Sequence, residues 1–160
     1  MIKQNIFETD TLTGKISKKD IKIKFIGKCD LLTSELMYLY YSIKEDYLLE
    51  IVSNLQYIMS ISMGLVVNES EVNNLLRDLM HHIAELEENY HFKGLILLGS
   101  TKKSALVHVV RAVCRETEIN YIDSLNDDLE NLSNIEINIY QYFNKLSTYL
   151  YDLALKYEKN

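Results

Sequence analysis

The chain has 160 residues, 48% hydrophobic and 25% charged, which suits one globular domain around a single continuous core. Its formal net charge of −6 leaves no broad basic surface and so excludes general nucleic-acid binding. No apolar run reaches membrane-spanning length, no signal peptide is visible, and two lone cysteines without CxxC spacing exclude a disulfide framework, so a cytoplasmic protein is expected.

Zero prolines and five glycines leave few breakers, which favours long helices joined by short polar turns. Residues 1–29 read as an irregular or weakly extended arm. Within it Ile21, Ile23 and Phe25 alternate with lysines, the pattern of a short strand. Six lysines fall between Lys15 and Lys28, opposed only by Asp20, a run that suits either a solvated face or one that meets an anion.

From Asp30, a candidate N-cap, to residue 158 the pattern is helical. Leu32, Leu36, Leu39 and Ile43 carry the first stripe. The stretch 46–67 is apolar nearly all round and predicts a helix buried against several others. The stretch 68–90 is amphipathic, with Val72, Leu75, Leu76, Leu79, Ile83 and Leu86 on one side and Asn68 or Ser70 as its cap. A short apolar piece ending at Gly99 and Ser100 leads to a helix over about 102–123, and a polar loop to a last helix over about 135–157. About five helices with short connections predict an all-α, five-helix, up-and-down bundle of the ferritin-like kind, one domain over 1–160.

Two helices carry polar stripes. At about 100° per residue, Ser104, His108, Arg111, Arg115 and Glu118 lie within an arc of about 80°, with Leu106, Val109, Val110, Val113 and Cys114 opposite. Of three arginines in the chain, two are here, one turn apart, against fourteen lysines in all. Guanidinium chemistry at that spacing suits planar, multidentate anion binding; a solvated face with an Arg–Glu pair is the plainer alternative. In the last helix Tyr140, Asn144, Ser147 and Tyr151 repeat at helical spacing, and Asn144, a poor helix former, suits either a hydrogen-bonding role or solvent. His81, His82 and Glu85 supply two ligand types one turn apart without a third, so no metal site is assigned. No phosphate-binding glycine fingerprint or nucleophile motif is present.

Three pieces in order, "SKKDIKIKFIGKCD", "ALVHVVRAVCRETE" and "YFNKLSTYLYDLA", resemble the ATP:cob(I)alamin adenosyltransferases of the propanediol-utilisation type. The resemblance spans about Lys15 to Tyr157. It implies a homotrimer of five-helix bundles, with each active site between two subunits. It also implies ATP, with Mg2+, as adenosyl donor to cobalamin, with triphosphate released. By resemblance Arg115 is the catalytic residue facing the polyphosphate, and Lys18, Glu118 and Asn144 join it in binding ATP. Asp30 and Arg111 pair across the subunit interface, and Leu95 takes the corrin-facing position. The chain departs from the family where a glycine-rich N-terminal phosphate loop is expected and only Gly14 remains, and where a second arginine is replaced by Glu116. A non-catalytic trimer of the same fold, binding nucleotide, corrinoid or a protein partner, is therefore the alternative.

Overall fold

The computed structural model describes residues 8–90, 97–125 and 128–159. A small antiparallel hairpin, β1 (Glu8–Thr11) and β2 (Gly14–Ser17), precedes α1 (Ile21–Ile43), α2 (Tyr47–Ser62), α3 (Glu69–Asn89), α4 (Lys102–Ser124) and α5 (Asn134–Tyr157). A single 3-10 turn, Leu129–Asn131, lies in the loop before α5. The fold is an all-α five-helix bundle.

The first helix starts ten residues earlier than the sequence pattern placed it. Asp20, not Asp30, caps it: the Asp20 carboxylate accepts the Lys22 N–H at 2.8 Å. Three alternating residues fit a strand and one helical turn equally well. What decides between them is the stripe that continues from Phe25 through Cys29, Leu32, Leu36, Leu39 and Ile43, all buried at helical spacing. Asp30 lies exposed in the middle of α1, where its carbonyl accepts the Thr33 and Ser34 hydroxyls. Residues 8–17 of the arm are paired strands, not irregular chain.

Without proline, the helices end by other means. Lys44 closes α1 in the left-handed region at φ 59°, its N–H bonded to the Tyr40 carbonyl at 2.7 Å. Gly64, φ 112°, turns the chain after α2. A Cβ there would come within 2.4 Å of the Thr13 side chain, so the tip of the β1–β2 hairpin seats directly on this glycine.

The apolar core runs the length of the bundle. α1 packs between α2 and α4, α4 packs on α5, and α5 packs on α3. Phe25 sits between Tyr121, 5.0 Å between centroids, and Phe143, edge-on at 5.7 Å, tying α1, α4 and α5 together. The Asn54 amide donates to the Tyr142 hydroxyl at 3.2 Å, satisfying a phenol with no solvent access and linking α2 to α5. Both thiols are buried in this core. Burial, with Asp30 adding to it, pushes the Cys29 thiol up to about 12, and burial raises Cys114 further still. No helix among the described residues is long and apolar enough to cross a membrane.

Candidate functional site

α4 has two partners, α1 on one side and α5 on the other, so its polar stripe does not face open water throughout. Ser104, expected on the polar surface, is fully buried in a capping box with Thr101, which satisfies the first free N–H groups of the helix. Val109, expected on the core side, is 53% exposed. A two-sided helix can bury small polar groups along its seam with α5 and leave apolar groups on its outer strip, and helical periodicity alone cannot distinguish those faces.

The polar stripe of α4 runs along its seam with α5. At the opening of α4 the His108 ring, 13% exposed, places Nε2 at 3.1 Å from Glu158, which is only 1% exposed. One turn on, the Arg111 guanidinium lies over the Tyr151 ring at 5.7 Å, and its buried Nε has no hydrogen-bond partner among the described residues. Arg115 follows, exposed and without a carboxylate partner among the described residues. Next to it the Asn144 amide donates to the Glu118 carboxylate at 3.3 Å, joining the two stripes across the seam. One strip of the molecule thus carries a free guanidinium, an amide–carboxylate pair and a covered guanidinium. That set can hold a polyanion and orient a polar group beside it.

Other sequence-assigned positions are not joined within the protomer. Lys18 is exposed in the turn between β2 and α1, and Asp30 is exposed on α1 with no ion pair to Arg111. Leu95 lies outside the described residues; its described neighbours Leu97 and Leu98 are 80% and 46% exposed. His81 pairs with Glu85 at 3.5 Å, while His82 stacks on Tyr47 at 3.5 Å between centroids.

Two features had no usable signal in the sequence. Lys28 on α1 donates to Glu116 on α4 at 2.8 Å, so the Glu116 carboxylate has a cation opposite it. Glu158, in the polar tail after α5, is buried only because the loop at 99–101 folds back onto it.

The family profile for cobalamin adenosyltransferases matches residues 8–157. The chain belongs to the cobalamin adenosyltransferase family. Among solved structures it is similar to variants of the PduO-type ATP:corrinoid adenosyltransferase from Lactobacillus reuteri. One, complexed with cobalamin and ATP, superposes with a TM-score of 0.79 at 19% identity over 96% of this chain and 92% of that one. Another, complexed with ATP, gives 0.76 at 18% identity over 94% and 88%, and a third, with both ligands, gives 0.77 at 17% over 95% and 89%. At these identities the likeness is one of fold. No curated protein matches the sequence.

Proposed function

We propose that this cobalamin adenosyltransferase-family chain transfers the 5′-deoxyadenosyl group of ATP to cob(I)alamin and releases triphosphate. The observation that carries the reading is the exposed Arg115 guanidinium, unpaired among the described residues, beside the Glu118–Asn144 pair in a chain of this family. In the reaction the cobalt(I) electron pair forms a bond to C5′ as the C5′–O bond breaks, and the leaving pair goes to triphosphate. The corrinoid supplies the nucleophile; the protein supplies placement and charge. Arg115 stabilises the negative charge that grows on the leaving group, with Lys18 as a second cation from the turn before α1. Asn144 and Glu118, fixed by each other, orient the nucleotide, and Mg2+ enters with its phosphates.

The active unit is a homotrimer with the site completed between subunits, Asp30 of one protomer meeting Arg111 of its neighbour. The apolar residues left exposed on α1 and α4, Leu31, Tyr38, Val109 and Ile119, supply the surface such contact would cover. A cytoplasmic location fits two buried, unbridged thiols.

One observation favours the alternative of a non-catalytic trimer. Residues 8–17 form a hairpin with a single glycine, Gly14, so a wound nest of backbone amides around phosphate is not evident. An anaerobic assay with reduced cobalamin and Mg·ATP separates the two, read by the spectral change on formation of the carbon–cobalt bond. Turnover is expected, and Arg115→Ala should cost about 2–4 kcal/mol of barrier, the scale of one lost charge-stabilising donor. ATP binding without bond formation would establish the non-catalytic reading, and a loss below tenfold would remove Arg115 from its role.

A further inference from the structure

Glu158 follows the last residue of α5, just past a helix end, where acidic side chains are ordinarily solvated, and is nevertheless almost completely covered. All of its acceptor capacity is used. The Gly99 N–H donates at 2.8 Å to one oxygen, and His108 Nε2 approaches the same oxygen at 3.1 Å. The Ser100 N–H donates at 2.8 Å to the other oxygen, joined there by the Ser100 hydroxyl. Burial alone would disfavour the charged carboxylate. These hydrogen bonds outweigh burial and bring it down to about 2, so it is ionised at any working pH. The contact is built from both sides. The Thr101 hydroxyl donates to the Tyr157 carbonyl at 2.6 Å, and the Lys159 N–H donates to the Ser100 hydroxyl at 2.7 Å. Gly99 reaches this geometry at φ 77°, in the left-handed region. The negative charge also lies at the N-terminal end of α4, where the helix dipole favours it.

An ionised carboxylate can only accept, so the His108 proton shared with it must sit on Nε2. That leaves Nδ1, buried and without a partner among the described residues, on the ring that neighbours Tyr151 at 6.2 Å. The same tyrosine underlies Arg111, the next polar residue of the stripe.

We propose that Glu158 is a positioning residue for α4: it pins the loop at 99–101 to the end of α5 and holds His108 in its Nε2–H form. The loop it pins carries the exposed Leu97 and Leu98, apolar surface that suits the flat face of a corrinoid. This last step rests on the proposed function; the clasp itself does not.

The test has three arms on the full chain. Nitrogen-15 spectra of histidine-labelled protein at pH 8–9, with His108→Gln to assign the signal, should show the neutral His108 ring protonated at Nε2. A proton on Nδ1 overturns the proposal. In Glu158→Gln, an amide faces four donors where a carboxylate stood, so at least one backbone N–H loses its acceptor. Hydrogen exchange at Gly99 and Ser100 should rise about tenfold while the α1–α2 amides stay as before, the scale of one charge-assisted bond. Unchanged exchange at the loop overturns it. In the adenosylation assay the same variant should raise the KM for cob(I)alamin with the KM for ATP unmoved; an equal rise in both makes Glu158 a structural anchor only and overturns the positioning role. If the wild-type protein forms no carbon–cobalt bond, the proposed function fails, and the first two arms still decide the clasp.

Discussion

Arginine is scarce in this chain, three residues against fourteen lysines, and the two on α4 have opposite surroundings. Arg111 is covered by Tyr151, whereas Arg115, one turn later, is open to solvent and to any anion. Another residue whose environment departs from its usual range is Asp152, on the α5 face toward α3. Burial, and then the Glu87 carboxyl beside it, raises its pKa from 3.8 to about 6, and one oxygen has no partner among the described residues. A carboxyl whose folded value is raised adds stability below its unfolded value, and loses that contribution as pH climbs through about 6. At pH 8 the charged form is therefore a burden on the order of 2 kcal/mol. Asp152→Asn should raise the thermal midpoint at pH 8 by several degrees, and the gain should vanish near pH 4. An equal gain at both pH values would show that Asp152 does not titrate as described.

At the scale of elements, most helices were legible because their apolar spacing is long and regular. The helices predicted over 68–90, 102–123 and 135–157 are observed as α3, α4 and α5 within a residue or two. The start of α1 was not legible, because its first turn carries exposed Ile21 and lysines, and the stripe begins only at Phe25. The hairpin before it was missed for a related reason: eight residues of paired strand expose most of their side chains and carry no burial signal. What anchors that hairpin is the contact of Thr13 with Gly64. Gly64→Ala places a Cβ against Thr13 and demands a positive φ, so it should cost about 1–3 kcal/mol. Faster proteolysis within residues 8–17 of that variant, with the helical circular dichroism retained, would be the signature. An unaltered midpoint together with unaltered cleavage would show that the hairpin is held elsewhere.

At the scale of the whole molecule, one protomer brings Glu118 to Asn144 but leaves Asp30 and Arg111 without each other. It also leaves Leu31 and Tyr38 on α1, and Val109 and Ile119 on α4, between about two-fifths and two-thirds exposed. On the proposed trimer these are one seam. Sedimentation of the wild-type chain should then give a trimer, and Asp30→Ala should shift it toward monomer at low micromolar concentration. Truncating one partner of a desolvated charge pair costs about 2–5 kcal/mol. A wild-type monomer would dismiss the shared site, and an unshifted trimer in the variant would remove Asp30 and Arg111 as its pair.

Most of the helices, most of the core stripe and the placing of two guanidinium groups on one stripe are readable from the sequence, because helical periodicity is a local property of the chain. The sequence also carried, in three ordered motifs, the likeness to the family whose profile spans residues 8–157. Packing between distant segments settles which side of α4 faces α5, that Ser104 is buried and Val109 is not, and that Lys28 meets Glu116. It alone closed the tail residue Glu158 over the loop at 99–101 and His108. Those outcomes depend on contacts between segments some fifty to ninety residues apart, and a helix packed on two sides has no single outward face for a pattern to reveal.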